Sequence, residues 1–363
     1  MILHGSWVEQ MKERKITKQI MIGGIPIGGG APIVIQSMNN TKTADVEATV
    51  AQLTALHAAG CQIGRLAIPD QEAAAALKQI LPQSPMPIVA DIHFDYRLAL
   101  ASLENGIDAL RINPGNIGSE DRVKAVIDAA RERNVPIRIG INGGSLEKDL
   151  LEKYGCTPEA IVESALREVS VFEKYGFDQV KISVKSSSVE KTVAAYKLLS
   201  EKVDFPLHVG VTEAGTVLKG SIKSALGIGL ILAEGIGDTI RVSLTGDPVN
   251  EVIVAKEILK NLNLREEGIE IISCPTCGRT KVDLETMVHG VEDALKNFQP
   301  RRPLTVAVMG CEVNGPGEAK EADYGIANGK GQGLLFKEGV VIGKYKESEI
   351  VGKLVDEIRR NEQ

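Results

Sequence analysis

Hydrophobic and polar positions follow two alternating patterns from residue 32 to about residue 264. Short runs of apolar and β-branched residues are each followed by a longer stretch in which apolar residues recur at helical spacing. The short runs predict strands at 33–37, 62–68, 88–92, 109–112, 137–141, 180–184, 207–211 and 239–243. The longer stretches predict helices such as 43–59, 120–133, 159–175 and 250–262. Eight such strand and helix units predict an α/β fold, the (β/α)8 barrel.

A doubly wound open sheet is the alternative for alternating strands and helices. Such a sheet usually carries a glycine-rich turn from which a helix begins. The early glycines, Gly23 and Gly24 and then Gly28 to Gly30, have no helical pattern after them. We therefore interpret them as part of a hairpin that precedes the barrel.

The pattern changes after residue 264, beyond a polar segment at 261–268. A strand at 269–273 is followed by a helix, a strand at 304–309, short strands between 333 and 345, and a last helix from Glu347. This order predicts a smaller α+β domain. We expect two domains, a barrel over residues 1–264 and the smaller domain over residues 265–363.

Composition excludes several classes of protein. The net charge of −6 argues against a general nucleic-acid surface. Residues 1–20 lack an apolar core of the kind found in signal peptides, and no apolar stretch is long enough to span a bilayer, so we expect no membrane partner. The five cysteines are odd in number and mostly clustered, which does not resemble a disulfide framework. These features predict a cytoplasmic location.

Polar residues stand at or just after the ends of the predicted barrel strands, where barrels of this kind form their active sites. They are Arg65, Asp91, His93, Arg111, Asn113, Arg138, Asn142, Lys181, Lys185, His208, Thr212, Glu213, Arg241 and Ser243. Several cations at one end of an acidic chain predict a small substrate with two phosphates or one diphosphate. For any single residue the alternative is an ion pair inside the barrel, for example Arg111 with Asp91.

We assign these residues to two roles. Glu213, in Val-Thr-Glu-Ala-Gly, is the carboxylate predicted to transfer a proton, with His93 and Asp91 as further catalytic candidates. For a histidine in this group, the alternative is a hydrogen-bonded structural role. The predicted substrate-binding residues are Arg65, Arg111, Asn113, Arg138, Asn142, Lys181, His208, Arg241 and Ser243.

Three cysteines lie in the second predicted domain. Cys274 and Cys277 belong to Cys-Pro-Thr-Cys-Gly, and Cys311 lies seven residues before Glu318, the last residue of Asn-Gly-Pro-Gly-Glu. Thiolates on such turns bind zinc or an iron-sulfur cluster. A structural zinc site closes with a fourth Cys or His, whereas a cluster can take a weaker fourth ligand, for which Glu318 is the candidate. The pattern favours a cluster, and a structural zinc ribbon is the alternative.

These motifs resemble those of the bacterial 4-hydroxy-3-methylbut-2-enyl diphosphate synthases over nearly the whole chain. The resemblance is carried by Pro-Ile-Val-Ile-Gln-Ser-Met at 32–38, Ala-Asp-Ile-His-Phe at 90–94, Arg-Ile-Asn-Pro-Gly-Asn at 111–116, Arg-Ile-Gly-Ile-Asn-Gly-Gly-Ser-Leu at 138–146, Val-Thr-Glu-Ala-Gly at 211–215, Asp-Thr-Ile-Arg-Val-Ser-Leu at 238–244, Cys-Pro-Thr-Cys-Gly-Arg at 274–279 and Asn-Gly-Pro-Gly-Glu at 314–318.

The resemblance implies a 4Fe-4S cluster held by Cys274, Cys277, Cys311 and Glu318. It implies reductive opening of 2-C-methyl-D-erythritol 2,4-cyclodiphosphate, with electrons from a flavodoxin or ferredoxin and loss of water. It also implies a two-domain enzyme that forms a head-to-tail homodimer. A short connector at 261–268 favours the same assembly, since the last barrel helix ends at the face opposite the active site.

A second class of function remains open at this point. A phosphate-binding barrel related to pterin-binding synthases, with a structural zinc appendage and no redox role, would also carry cations and cysteines. Metal content distinguishes the two hypotheses.

Overall fold

The structure is a computed structural model that describes residues 11–266, 268–296, 298–311, 313 and 315–362. The chain separates into two compact units, and the division lies between Leu264 and Arg265. Residues 1–10 of the predicted first domain, and Asn314 of the last motif, lie outside the described residues. None of the helices in the described part of the chain is long and apolar enough to cross a membrane.

The first unit is built from alternating strands and helices. Its strands are β1 Ile20–Ile22, β2 Ile25–Ile27, β3 Val34–Met38, β4 Ile63–Ala67, β5 Ile88–Asp91, β6 Ala109–Ile112, β7 Ile137–Asn142, β8 Val180–Lys185, β9 His208–Val209 and β10 Thr239–Ile240. Its helices are α1 Val46–Ala59, α2 Gln71–Ile80, α3 Tyr96–Glu104, α4 Pro114–Ile117, α5 Glu120–Glu132, α6 Lys148–Tyr154, α7 Pro158–Lys174, α8 Val189–Ser200, α9 Val217–Ala233 and α10 Val249–Asn261.

Strands β3 to β10 form one parallel sheet in the order β8-β7-β6-β5-β4-β3-β10-β9. A parallel bridge between Ile182 and Leu207 joins β8 to the residue just before β9 and closes the sheet on itself. The outer side of the strands is apolar because helices cover it, whereas the inner side also carries charged side chains such as Arg111, Lys181 and Lys185. The predicted (β/α)8 barrel is therefore confirmed.

Strands β1 and β2 form the predicted hairpin. They pair in antiparallel register through a turn at Gly23 and Gly24, whose φ angles of 51° and 84° suit glycine. The isoleucines of the hairpin pack against the residues with which the barrel strands begin, including Val34, Ile63 and Ala109. The hairpin thus closes the N-terminal end of the barrel.

The seventh and eighth barrel strands are shorter than predicted. The sequence pattern suggested 207–211 and 239–243, whereas β9 and β10 each contain two residues. The backbones approach closely beyond them, since a Cβ atom at Gly210 would lie 2.4 Å from the carbonyl oxygen of Arg241. The sheet ladder ends there, and the following residues turn into the loops at the C-terminal end of the barrel.

The second unit is a mixed five-stranded sheet with helices on both faces. Its elements are β11 Ile269–Ser273, α11 Leu284–Leu295, β12 Leu304–Met309, α12 Gly315–Glu321, β13 Tyr324–Asn328, β14 Gln332–Lys337, β15 Val340–Lys346 and α13 Glu347–Glu362. Strands β11, β12 and β13 are parallel, and β14 and β15 are added in antiparallel fashion. Helices α11 and α13 pack on one face and α12 packs on the other, as an α+β domain requires.

Candidate active site

Asp91, the last residue of β5, is the centre of a buried ion-pair group. Its carboxylate lies 2.6 Å from Nη2 of Arg65 and 3.1 Å from Nη1 of Arg111, and His93 Nε2 lies 3.3 Å away. Burial alone would raise the pKa of Asp91, but the two guanidinium groups and His93 hold it well below its usual range. Asp91 therefore stays ionised and anchors two arginines.

Arg111 crosses the inner face of the neighbouring strand β7. A Cβ atom at Gly140 would lie 2.8 Å from the Arg111 Nε atom, so only glycine leaves room for this side chain. The Nη2 atom donates to the Gly140 carbonyl at 3.3 Å, while Nε is buried without a hydrogen-bond partner among the described residues. The ion pair considered in the sequence analysis exists, and it leaves part of the guanidinium unsatisfied.

Arg138 and Arg241 are held by different acceptors. Arg138 Nη1 donates to Ser183 Oγ at 2.5 Å, and burial lowers the pKa of Arg138 well below its usual value. Arg241 lies 3.3 Å from the carboxylate of Glu251, on α10. Glu251 also accepts from the hydroxyl of Ser37, so a buried carboxylate fixes this guanidinium in turn.

Lys185, the last residue of β8, is 5% exposed and lies among these cations. Burial, followed by repulsion from Arg138, Arg241, Arg65 and Arg111, lowers the pKa of Lys185 well below its usual value. A Cβ atom at Gly210 would lie 2.8 Å from its Nζ atom. The barrel interior around Lys185 thus holds five basic side chains whose positive charges repel one another, and an anion between them would relieve that repulsion.

Lys181 lies deeper in the barrel than predicted. It lines the lower interior together with Gln36, Arg138, Ile20 and Ile22, so it faces the hairpin end. Burial, with a contribution from Arg138, lowers the pKa of Lys181 to about 7, and its Nζ atom has no hydrogen-bond partner among the described residues. Of the two lysines on β8, Lys185 rather than Lys181 belongs to the cationic group at the C-terminal end.

His208, on β9, is fully buried. Its Nδ1 atom lies 2.8 Å from Thr239 Oγ1, and its carbonyl accepts from the Tyr196 hydroxyl at 2.5 Å. Burial and the nearby Lys185 lower the pKa of His208 well below its usual range. A neutral, hydrogen-bonded imidazole is the structural role that the sequence analysis kept as the alternative.

The loops around the barrel end carry the remaining predicted residues. Glu213 is exposed after β9 and has a φ angle of 53°, which is uncommon for a residue other than glycine. His93 is about half exposed after β5. Asn113 is buried after β6, while Asn142 and Ser243 are partly exposed at the ends of β7 and after β10. The proton-transfer and substrate-binding roles of these residues stay predictions.

Sequence reasoning missed three residues of this region. Lys185 was recognised at a strand end but was not chosen, although it lies four positions after Lys181 on the same face of β8. Ser183, between the two lysines on that face, and Glu251, from a helix, were not considered. The alternating pattern of β8 was the signal for Ser183, whereas no local pattern reveals Glu251.

In the second unit, Cys274 and Cys311 follow two neighbouring strands. Ser273 at the end of β11 pairs with Val308 of β12, so the two parallel strands end side by side. Cys274 follows Ser273 directly, and Cys311 comes two residues after β12. The topology thus brings the two loops that carry the cysteines to one edge of the sheet.

Hydrogen bonds organise the loop between them. The backbone N–H of Cys277 donates to Thr280 Oγ1 at 3.1 Å, and the Thr280 N–H donates back to the Cys277 carbonyl at 2.9 Å. Lys281 then donates to the carbonyl of Gly310, next to Cys311. The Cys-Pro-Thr-Cys loop is therefore tied to the Cys311 loop through its backbone.

Electrostatics favours the thiolate form at this edge. Hydrogen bonds from the backbone and side chain of Arg279 lower the pKa of the exposed Cys277 thiol. The hydrogen bond with Cys277, followed by the charges of Cys277 and Cys311, raises the pKa of Arg279. Glu318 is exposed in the first turn of α12.

The described side chains are not gathered at metal-ligand spacing: among them, no group of three or more His, Cys, Asp or Glu could hold a metal ion as placed. The donor set still fits a cluster in its chemistry, since soft thiolates stand on tied loops beside a carboxylate and a cation. The assignment of Cys274, Cys277, Cys311 and Glu318 as ligands stays a prediction.

Comparison with known proteins gives a consistent result over both units. A family model described as the GcpE TIM-barrel domain matches residues 17–256, and one described as the GcpE protein C-terminal domain matches residues 270–360. A relative from Geobacter sulfurreducens is 59% identical over 345 residues, which cover 95% of this chain and 97% of the relative. One from Maridesulfovibrio salexigens is 61% identical over 340 residues, 93% of this chain and 94% of the relative.

Both relatives are named 4-hydroxy-3-methylbut-2-en-1-yl diphosphate synthase (flavodoxin). Among solved structures, a dihydropteroate synthase from Xanthomonas albilineans aligns with 68% of this chain and 97% of its own length. That alignment has 15% identity and a TM-score of 0.48.

Proposed function

The chain belongs to the GcpE family, and we propose that it catalyses the reaction for which its relatives are named. The substrate is 2-C-methyl-D-erythritol 2,4-cyclodiphosphate, an intermediate of the methylerythritol phosphate route to isoprenoid precursors. Reductive opening of the ring consumes two electrons and two protons, and it yields 4-hydroxy-3-methylbut-2-enyl diphosphate and water. The alternative of a non-redox barrel with structural zinc is not favoured, because relatives matching nearly the full chain carry the synthase name.

The observation that carries this proposal is the group of buried cations around Lys185. Burying several like charges is unfavourable unless a counter-charge arrives, and a diphosphate provides it with oxygens that match guanidinium geometry. Asp91 and Glu251 fix Arg65, Arg111 and Arg241 before the substrate binds. The cost of ordering these side chains is thus met during folding rather than during binding.

Residues of the surrounding loops would act on the bound substrate. Glu213, exposed in the loop after β9, would deliver a proton to the departing hydroxyl, which leaves as water. Asn113, Asn142 and Ser243 offer neutral hydrogen bonds to hydroxyl and phosphate oxygens. His93 contacts Asp91 and Arg111, so it would orient the arginine or relay a proton.

Cys274, Cys277, Cys311 and Glu318 would hold a 4Fe-4S cluster. When bound, such a cluster supplies single electrons and a Lewis-acidic iron. Hydrogen bonds from Arg279 lower the pKa of Cys277 and so favour the thiolate that binds iron, and the backbone hydrogen bond to Gly310 limits how far the two cysteine loops can separate. A flavodoxin, as in the relatives' printed name, would reduce the enzyme in the cytoplasm.

The same proposal includes a homodimer of two such chains arranged head to tail. Helix α9 exposes a stripe of large apolar side chains at four-residue spacing, Leu218, Ile222, Leu226 and Leu230, each at least half exposed. Together with Val217 and with Ile253 of α10, the α9 stripe presents on the order of 500 Å² of apolar surface, which is near the upper end of the largest patch on a typical monomer. Two such faces would bury about 1,000 Å², the lower limit for a stable interface, so a second copy is the partner we propose.

Mixing two inactive variants tests whether the site combines two chains. Glu213→Ala keeps the cysteines and Cys311→Ser keeps the barrel. A mixed dimer with a composite site has one intact site, so random exchange restores about a quarter of normal activity. Leu226→Glu, in the middle of the α9 stripe, should convert the dimer to monomers in light scattering. If confirmed exchange restores no activity, the site lies within one chain.

The function itself is tested with protein prepared without oxygen. We expect about four irons per chain, and conversion of the cyclodiphosphate to the linear diphosphate by reduced flavodoxin. Stoichiometric zinc without iron in such a preparation, or absence of the linear product from iron-replete protein, contradicts the proposal.

A further inference from the structure

Two carboxylates near the loop after β6 have no part in the ion-pair group described above. Glu168, on α7, faces the backbone of this loop, since a Cβ atom at Gly115 would lie only 3.1 Å from its Oε1 atom. The same Cβ atom would lie 3.5 Å from Oδ1 of Asn113. Gly115 therefore stands in a narrow space between Glu168 and the predicted substrate-binding Asn113.

The second carboxylate belongs to Glu147, just before α6. Its Oε2 atom is buried without a hydrogen-bond partner among the described residues. Burial, followed by the Glu147 carboxylate, raises the pKa of Glu168 to about 7, and a hydrogen bond from the Gly115 N–H acts in the opposite direction. The negative charge of Glu147 therefore disfavours the ionised form of Glu168.

The cations in this neighbourhood are engaged elsewhere. Arg167, next to Glu168 on α7, bonds Asp149 at 2.7 Å and lies 3.7 Å from Glu163. Arg122, on α5, approaches Gly118 at the other end of the loop. Glu168 is therefore placed against the loop backbone, and it forms no salt bridge with a cation among the described residues.

We propose that Glu168 is a positioning residue, whose carboxyl group lies against Gly115, holds the Asn113–Gly118 loop and thereby fixes Asn113 at the end of the barrel. Asn113 is 4% exposed, and its carbonyl accepts from the Asn116 N–H at 2.9 Å, so its place depends on the loop. The effect of Glu168 on substrate binding rests on the proposed function, whereas its restraint of the Asn113–Gly118 loop does not.

The sign of the pH dependence follows from the raised pKa of Glu168. The folded state binds this proton more tightly than the unfolded state, so its stabilising effect is complete below about pH 4.5 and is lost as the pH rises through about 7. The loop should therefore loosen between pH 6 and 8 in the wild-type protein. Glu168→Gln keeps the size and an acceptor oxygen but does not titrate, so it should abolish this change.

Hydrogen exchange of the full-length, anaerobically prepared protein tests directly whether Glu168 restrains the Asn113–Gly118 loop. In peptides covering residues 113–118, we expect Glu168→Ala to exchange about tenfold faster than wild type at pH 6. Corrected for intrinsic chemistry, wild-type exchange should accelerate between pH 6 and 8, and Glu168→Gln exchange should not. Glu173→Ala, at an exposed glutamate of the same helix, is the matched control and should match wild type. The proposal is overturned if Glu168→Ala exchanges as slowly as wild type at pH 6 and Glu168→Gln keeps the pH dependence of wild type.

Kinetics then separates positioning from simple loss of stability. Glu168→Ala should raise KM for the cyclodiphosphate about tenfold with kcat within about twofold, because Asn113 is displaced while the reacting groups are not. Gly115→Ala, which pushes against Glu168 from the other side, should do the same. A fall in kcat at constant KM means that the variant only lowers the active fraction, and it refutes the positioning role. Absence of turnover by the wild type would refute the proposed function and leave the exchange result standing.

Discussion

The two units differ in how their functional groups are prepared. In the barrel, Asp91 and Glu251 are buried acceptors that fix arginines in place, and Lys185 lies among these arginines, where burial and repulsion lower its pKa. In the second unit, Cys277 is exposed, and the described donors are not gathered at metal-ligand spacing. A site for an exchangeable anion is complete before binding, whereas a site for a resident cluster can be completed by the cluster itself.

The largest expected effect comes from removing one proposed cluster ligand. Cys311→Ser should lose iron and reduce turnover at least about 10³-fold, because the electrons have no route to the substrate. Binding of pyrophosphate to the barrel, measured by calorimetry, should change less than about twofold. Loss of pyrophosphate binding in this variant would show that the two sites are not prepared independently.

Removing the anchor of the barrel site should cost stability. Asp91→Asn leaves Arg65 and Arg111 buried without their shared carboxylate, and we expect the free energy of unfolding of the first unit to fall by about 3–5 kcal/mol. Denaturant unfolding followed by circular dichroism measures this change. Asp95→Asn, at a partly exposed carboxylate four residues later, is the control and should alter stability little. Equal stability of the two variants would remove Asp91 as an anchor.

The lowered pKa of Asp91 also determines the direction in which stability changes at acid pH. The pKa of Asp91 is lower in the folded state than in the unfolded chain, so its contribution is present above about pH 4 and is lost as the pH falls further. The Asp91→Asn variant should therefore show a flatter decline of stability at acid pH than the wild type.

Proton transfer and anion binding should separate within the barrel. Glu213→Gln should reduce kcat about 10²-fold with a small change in KM, whereas Arg111→Ala should mainly weaken substrate binding. Steady-state kinetics at saturating flavodoxin provides both constants. Near-normal kcat for Glu213→Gln would exclude this carboxylate as the proton donor.

The smallest effect concerns protons taken up with the anion. The pKa of Lys185 is depressed by burial and by four arginines, and that of Lys181 is about 7. A bound diphosphate raises the pKa of a lysine beside it, so binding at pH 8 should be accompanied by uptake of protons from solution. Calorimetry of pyrophosphate binding in buffers of different ionisation enthalpy measures it. Lys185→Met should reduce the uptake, and equal uptake in this variant would exclude Lys185 as its source.

Local patterns predict the scaffold better than the site. The apolar runs located each barrel strand, and the glycines at 23 and 24 predicted the hairpin, since both signals lie within a few residues. The ends of β9 and β10 were missed because the approach of Gly210 to Arg241 depends on two distant segments. The motifs identified the polar residues at the strand ends, but they did not predict how deep in the barrel each side chain lies.

Lys181 and Glu168 illustrate this limit. Alternation along β8 places Lys181 and Lys185 on one face, yet only the position of the hairpin shows that Lys181 points toward the closed end. Glu168 occurs in a charged helix where a solvent-exposed carboxylate is the ordinary expectation. Its burial results from packing against the loop after β6, which no periodicity encodes.

The hairpin that closes the barrel also has an electrostatic consequence. Its isoleucines form a layer of low polarisability beneath the buried cations, so field lines from Arg138 and Lys185 cannot spread toward water at that end. The positive potential is concentrated at the opposite opening, where an approaching anion is accelerated. The association rate of a diphosphate should therefore fall steeply with ionic strength, although the chain as a whole carries a net charge of −6.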